Sequence, residues 1–304
     1  MIKEIETPGG VLGISDDAGY AKIEYYRGKD IAVAVPESIE GKSVTELSKK
    51  AFLGAKTITK IELPGSIESI GDFAFASCSA LKEVSIAKKK YTLGSGLFRD
   101  CVKLEKIVLE GGGESSGSGG DDRETSDIFY LLALAVSKMD APYLFDPEKA
   151  GEKDWIDHFD SVIGQILGRD DSEGFSKMLL CGEEDYVGDE SNFDTYCLLK
   201  KKEKIRIILI RLLHPMGLSD ERRTGFSKYL SENMESAVWP LVLEEHGEEK
   251  EYFDILIDTG CINDGNISKL IDSMGERNTQ MKGYLIRHKG GSDSGAGFFD
   301  GLDL

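Results

Sequence analysis

Histidines, cysteines and a surplus of carboxylates are the side chains of this chain that could do chemistry. The 304 residues include four histidines, five cysteines and 55 Asp and Glu against 37 Lys and Arg. His158 lies among Asp154, Asp157 and Asp160. Asp154 and His158, at i and i+4, would share one helix face and could in principle hold one cation. No two histidines have metal-ligand spacing and HExxH is absent, so a solvated helix face is the expectation. No CxxC occurs and no cysteine has a local histidine partner, so neither a zinc site, a disulfide framework nor a local nucleophile pair is indicated.

Two further segments invite ligands. Glu183-Glu184-Asp185-Tyr186-Val187-Gly188-Asp189-Glu190-Ser191-Asn192-Phe193-Asp194 is acidic, but its order does not meet the EF-hand pattern, which needs oxygen ligands at alternate positions, a glycine and a closing glutamate. It reads as an exposed loop. Gly111–Gly120 is glycine-rich. A phosphate loop needs Gly-Lys-Ser/Thr opening a helix, so that amides and an ammonium meet the phosphate. Here Asp121 and Asp122 follow and would repel it, so the stretch reads as a flexible tether. The expectation is therefore no enzyme, no cofactor and no metal. An enzyme with its site hidden in the second half or in a cleft is the alternative.

The charge is unevenly distributed. The formal net charge is −18 and the pI about 4.7. Residues 1–110 carry 16 basic and 16 acidic side chains, which leaves 21 basic and 39 acidic for the remainder. Two separately built parts are implied, and the excess of carboxylates argues against nucleic acid or an anionic membrane as partner. No apolar run reaches the 18 residues of a spanning helix. Met1–Pro8 lacks the apolar stretch of a signal peptide. A cytoplasmic location is the expectation, with the cell surface or secretion as alternative if a leader has been removed.

Positioning elements emerge from self-similarity. Segments 44–66, 67–89 and 90–110 align at a fixed offset of 23 residues. Leu47, Ile70 and Leu93 fall in one column. Phe52, Phe75 and Phe98 form a second, Ile58, Leu81 and Leu104 a third. Ile61, Val84 and Ile107 form a fourth, and Leu63, Ile86 and Leu109 a fifth. Columns of like apolar residues are what stacked coils require, because each coil buries its face only against its neighbours. Ile61 and Leu63 point inward from a short strand, so Lys60, Glu83 and Lys106 form an outward ladder beside Thr59, Lys82 and Glu105. Opposite charges would then lie side by side on adjacent strands. Thr59, Lys60, Glu62, Lys82, Glu83, Ser85, Glu105 and Lys106 make up the candidate interaction surface. Ala55, Cys78 and Cys101 share a small-residue column. Buried, unreactive thiols are expected there, although stacked coils would bring the two sulfurs close enough to bridge.

Ile70-Gly71-Asp72-Phe73-Ala74-Phe75-Ala76-Ser77-Cys78, with Leu81 and Val84-Ser85-Ile86, resembles the BspA-like leucine-rich repeat of bacteria, IGxxAFxxCxxLxxVxIP. The first repeat lacks the cysteine but keeps Pro64. The third has Leu93-Gly94-Ser95-Gly96-Leu97-Phe98 in place of the IGxxAF run, and Ala87 stands where proline is common. The resemblance covers about residues 44–110. It implies a solenoid that binds protein or surface partners, and it brings no catalytic residues. Membership of a bacterial adhesin-like surface protein is a further alternative that it implies.

Short β-like runs at Val11–Ile14, Ala21–Tyr25 and Ile31–Val35 precede the repeats, separated by turn-type clusters. Residues 10–43 are assigned as the polar N-terminal cap that a solenoid needs. After a linker at 111–125 the period changes from 2 to 3.6. Ser126-Asp127 would cap a helix over Ile128–Val136. Further helices are expected at 154–168, 174–181 and 194–213. The basic run Lys200-Lys201-Lys202-Glu203-Lys204 reads as the solvated end of the last one. Leu256-Ile257, Leu270-Ile271 and Leu285-Ile286 recur at about 14-residue spacing with turns between, as in helix hairpins loosely similar to ankyrin-type repeats.

The predicted architecture is α+β. A leucine-rich-repeat β-solenoid (1–110) is followed by the linker, an acidic all-α domain (126–289) and a flexible tail (290–304). Phe298 and Phe299 in that tail, with Leu302 and Leu304 between aspartates, are candidate docking residues. The expected function is a noncatalytic protein–protein interaction or scaffold module, with protein partners and no membrane insertion.

Overall fold

The computed structural model describes residues 2–17, 19–111, 122–176 and 190–293. Eleven strands come first: β1 (Ile2–Thr7), β2 (Gly10–Asp17), β3 (Tyr20–Gly28), β4 (Ala32–Ala34), β5 (Ser38–Ile39), β6 (Lys42–Leu47), β7 (Lys60–Glu62), β8 (Ser69–Ile70), β9 (Glu83–Ala87), β10 (Thr92–Leu93) and β11 (Lys106–Glu110). Among the described residues eight α-helices follow: α1 (Asp122–Ser137), α2 (Lys153–Gly168), α3 (Glu190–Leu213), α4 (Asp220–Glu232), α5 (Trp239–Glu245), α6 (Lys250–Asp258), α7 (Ile267–Ser273) and α8 (Thr279–Asp293). The chain forms two compact units, one of Met1–Ile166 with His214–Gly217, the other of Leu167–Leu213 with Leu218–Leu304.

The first unit is a β-solenoid of about four turns, as the 23-residue offset predicts. Strands β4, β7, β9 and β11 form a parallel sheet in which Val33, Ile61, Val84 and Ile107 share one register position. All four are buried, and so are Ile58, Leu81 and Leu104. On a second sheet β6, β8 and β10 stack in parallel, bringing Leu47, Ile70 and Leu93 together. The N-terminal cap begins earlier than the turn signals suggest. Strands β1, β2 and β3 form an antiparallel meander, and β3 joins the second sheet beside β6. The cap is sheet, as the β-like runs suggest, and its first strand starts at Ile2, ahead of residue 10.

Between the sheets each coil turns through two left-handed residues. Lys50, Phe73 and Gly96 have φ of 64°, 55° and 61°, and Gly54, Ser77 and Asp100 have φ of 70°, 58° and 60°. A Cβ in this region costs about 1–2 kcal/mol. Lys50 is exposed, and its amide alone carries the coil contact, donating to the Asp72 carbonyl at 2.9 Å. Lys50→Gly is expected to stabilise the solenoid by about 0.5–1 kcal/mol net of the looser unfolded chain. Urea denaturation checks this, and unchanged or lower stability refutes it.

A buried carboxylate ties the cap together. Asp30, 6% exposed, accepts from the Thr7 and Tyr26 hydroxyls at 2.5 and 2.9 Å. Burial pushes its pKa up, but hydrogen bonds from Thr7, Tyr26 and the Gly9 amide outweigh it and hold the carboxyl below its ordinary value. A carboxyl depressed in the folded state stabilises above its unfolded pKa of about 3.9 and loses that contribution as pH falls through the folded value. The first unit is expected to weaken below about pH 4. Asp30→Asn should flatten that part of the stability profile, measured by thermal unfolding between pH 3 and 7.

Helix α1 closes the other end of the solenoid. Ser137 Oγ donates to the Leu104 carbonyl at 3.3 Å, and Phe145, just past a 3-10 turn at Pro142–Leu144, packs edge-on against Phe98 with centroids 5.5 Å apart. The helix starts at Asp122, so Ser126 and Asp127 lie inside it and do not cap it. Asp127 is buried and instead accepts from the Met216 amide at 3.1 Å and pairs with His214 Nδ1 at 3.0 Å.

The second unit is built on α3, which buries Ile205, Ile208 and Leu209. Leu256, Leu270 and Leu285, picked out by their spacing, are buried on α6, α7 and α8. The basic run is not a solvated helix end. It lies in mid-helix, and Lys204 is 7% exposed, donating to the Arg169 carbonyl at 2.5 Å and Asp171 at 2.7 Å. Arg206 makes a two-pronged contact with Glu245, 2.5 Å at the closest, which holds that carboxylate below its ordinary pKa. Helix α8 runs to Asp293, so residues 290–293 belong to it and not to a free tail. Most of the expected helix at 174–181, the acidic stretch up to Asp189, and Phe298 and Phe299 lie outside the described residues.

Candidate interaction surface

Alternation on three-residue strands sends every second side chain outward. In register, Ala32, Lys60, Glu83 and Lys106 form one outward row, and Ala34, Glu62, Ser85 and Val108 the next. Lys60 bridges along its own strand to Glu62 at 2.8 Å and across to Glu83 at 3.2 Å. These two contacts raise the Lys60 pKa above its ordinary value. Lys82 lies 3.6 Å from Glu105. The ladder of opposite charges therefore forms, although ion pairs this exposed add little stability.

Three of the sequence-selected residues behave differently from the rest. Ser85 is 3% exposed and offers nothing to a partner, because this outward position is covered. Lys106 does not extend the row of ion pairs. Its ammonium lies 5.7 Å from the Phe129 ring centre and 5.8 Å from that of Tyr130, so α1 turns the last rung into a cation–aromatic contact. Thr59 donates to the Ile31 carbonyl at 3.0 Å while its side chain stays at the surface. Lys60, Glu62, Lys82, Glu83 and Glu105 remain as a contiguous accessible group.

Behind this face runs an aromatic column. Phe52, Phe75 and Phe98 stack with centroids 5.7 and 5.2 Å apart. Tyr26 extends the column at one end, 5.6 Å from Phe52, and Phe145 closes it at the other. Neither was visible at the 23-residue offset. Tyr26 precedes Phe52 by 26 residues and stands on β3, a strand of the cap that carries a bulge in its pairing with β2. Phe145 arrives only after a helix.

The thiols form a second column. Cys78 and Cys101 are free and buried. Each sulfur donates to a carbonyl of the preceding coil, Cys78 to Phe52 at 3.1 Å and Cys101 to Phe75 at 3.0 Å. The neighbouring Cys78 sulfur and burial push the Cys101 thiol well above its ordinary pKa, so it stays protonated and unreactive.

Among the described residues no group of three or more His, Cys, Asp and Glu side chains is placed to hold a metal ion. His158 is exposed and lies beside Tyr143 with ring centroids 6.0 Å apart. No described helix is long and apolar enough to cross a membrane.

The coil geometry agrees with a family comparison. A model described as BspA type leucine rich repeat region (6 copies) matches residues 37–118. Over those residues the chain is similar to BspA-type leucine-rich repeats. Solved bacterial leucine-rich-repeat proteins are similar over about a third of the chain. A T. pallidum leucine rich repeat protein is 32% identical over 35% of this chain and 50% of its own, with a TM-score of 0.28. A protein of Faecalibacterium prausnitzii, described as a leucine rich cell surface protein, is 22% identical over 35% of this chain and 30% of its own, with a TM-score of 0.29. A leucine-rich repeat protein of Bacteroides capillosus is 22% identical over 36% of this chain and 99% of its own, also with a TM-score of 0.29. The chain spans half the length of the T. pallidum protein. No curated protein matches it.

Proposed function

We propose that this BspA-type repeat protein is a noncatalytic interaction module that binds a protein partner through the outward face of its four-stranded parallel sheet. The exposed group Lys60, Glu62, Lys82, Glu83 and Glu105 carries this reading. Its side chains are held at fixed strand spacing, and its charges are close to balanced, which suits a partner of mixed charge. The rigid stack behind it keeps the entropy of ordering low on binding.

The test is affinity capture with the whole chain and with the double variant Lys60→Glu and Lys82→Glu. Circular dichroism and the melting temperature should stay unchanged, since these positions are exposed, while a specific partner should weaken at least about tenfold. A partner retained in full by the double variant sinks the assignment to this face. A substrate turned over by the intact chain sinks the noncatalytic reading.

Location follows as part of the same proposal. The unbridged thiols of the repeats suit a reducing compartment, and display at a cell surface is the alternative. Fractionation of the producing cell separates the two.

A further inference from the structure

Each coil of the solenoid donates three backbone N–H groups to the coil that follows. Lys50 donates to the Asp72 carbonyl at 2.9 Å, and Phe73 to Ser95 at 2.8 Å. Phe52 donates to Ala74 at 2.7 Å, and Phe75 to Leu97 at 3.0 Å. Gly54 donates to Ala76 at 2.8 Å, and Ser77 to Arg99 at 2.7 Å. In the last coil the corresponding donors are Gly96, Phe98 and Asp100. Among the described residues none of these three amides has an acceptor. They line a cleft of about 610 Å³ at the end of the stack, walled on the far side by Phe145 and the end of α1.

We infer that this open rim is a docking edge for an extended, glycine-bearing peptide segment of a partner protein, whose carbonyls take the place of the missing next coil. Main-chain pairing of this kind satisfies donors that otherwise rely on water alone. The donors sit on alternate residues and do not converge, so they match successive carbonyls and not a single anion. Nor does the rim favour a charged ligand, since Arg99 lies 4.0 Å from Asp100.

Steric limits set the motif. A Cβ on Gly71 would come 2.4 Å from the Lys49 amide, and one on Gly94 would come 2.3 Å from the Asp72 amide. The next segment in that column meets the Ser95 amide, so it must carry glycine there. Four residues on, where Phe75 and Phe98 stand in the coils, Phe145 already fills the aromatic position. The segment must be small at that point. The required pattern is glycine, three residues of any type, then a small residue. This edge is separate from the charged ladder, and either can hold without the other.

The probe is a synthetic peptide with the sequence of residues 69–78 carrying Phe75→Ala and Cys78→Ser. It is added to the full chain, and amide hydrogen exchange is followed by NMR. In the free protein the Gly96, Phe98 and Asp100 amides should exchange far faster than their Phe73, Phe75 and Ser77 counterparts. Saturating peptide should slow all three at least about tenfold, and a second peptide with Gly71→Ala should bind at least about tenfold more weakly. Three results overturn the inference: no slowing at saturation, equal binding by the alanine peptide, or amides already protected in the free protein.

Discussion

Phe75→Ala is expected to destabilise the solenoid by about 3–5 kcal/mol, the range for truncating a fully buried phenylalanine. Phe75 has no exposed surface and is stacked on both faces, by Phe52 and by Phe98. Removing its ring opens a void in the middle of a column, where the Phe52 amide is held by the Ala74 carbonyl and the Leu97 carbonyl by the Phe75 amide. Little collapse into the void is available, so the cost belongs at the upper end of the range. Such a loss approaches the whole stability of a small domain. The measurement is urea unfolding followed by far-ultraviolet circular dichroism. A loss under about 1 kcal/mol would show that the column is not the core of the unit.

Gly71→Ala is the second substitution with a large expected effect, though it adds only one methyl group. The new carbon would lie 2.4 Å from the Lys49 amide nitrogen and 2.7 Å from the Ser48 carbonyl carbon. Both are backbone atoms of the preceding coil, so relief requires coils to part. Overpacking of this kind costs about 1–3 kcal/mol, and here the upper figure applies because no flexible side chain is available to move. Gly65→Ala serves as the control, since nothing lies within 4 Å of its Cβ. A drop in melting temperature confined to Gly71→Ala is the expected outcome. Equal behaviour of the two variants would mean that the coils are not in close contact at this column.

Much of the solenoid was legible because its physics is periodic. A fixed offset with apolar columns leaves few alternatives to stacked coils, and Phe52, Phe75 and Phe98 fall where the offset puts them. What breaks the period was not legible. Tyr26 joins the aromatic column from a bulged antiparallel strand, and Phe145 from beyond a helix. Lys106 continues the charge ladder in sequence, yet its environment is decided by Phe129 and Tyr130 on an element with a different period. Asp127 looked like a helix cap because it precedes the apolar run, whereas its carboxylate serves His214 and Met216, 87 and 89 residues away. In the second unit the apolar spacing located α3, α6, α7 and α8 but not α4, and charge alone misplaced Lys204. A lysine beside three others reads as solvated until Asp171 and the Arg169 carbonyl are brought to it by the fold.

The aromatic column ends in two unlike residues, Tyr26 and Phe145, and neither belongs to a repeat. Together they act as chain stoppers on a short one-dimensional polymer. Neither end can accept another monomer of the same kind in full, because Tyr26 is tied to Asp30 and Phe145 meets its neighbour edge-on. The array can therefore lengthen only from within. Duplicating residues 67–89 in tandem would insert one more Phe between two stacking partners and leave both stoppers intact, whereas an added coil at either terminus would find its aromatic seat already taken.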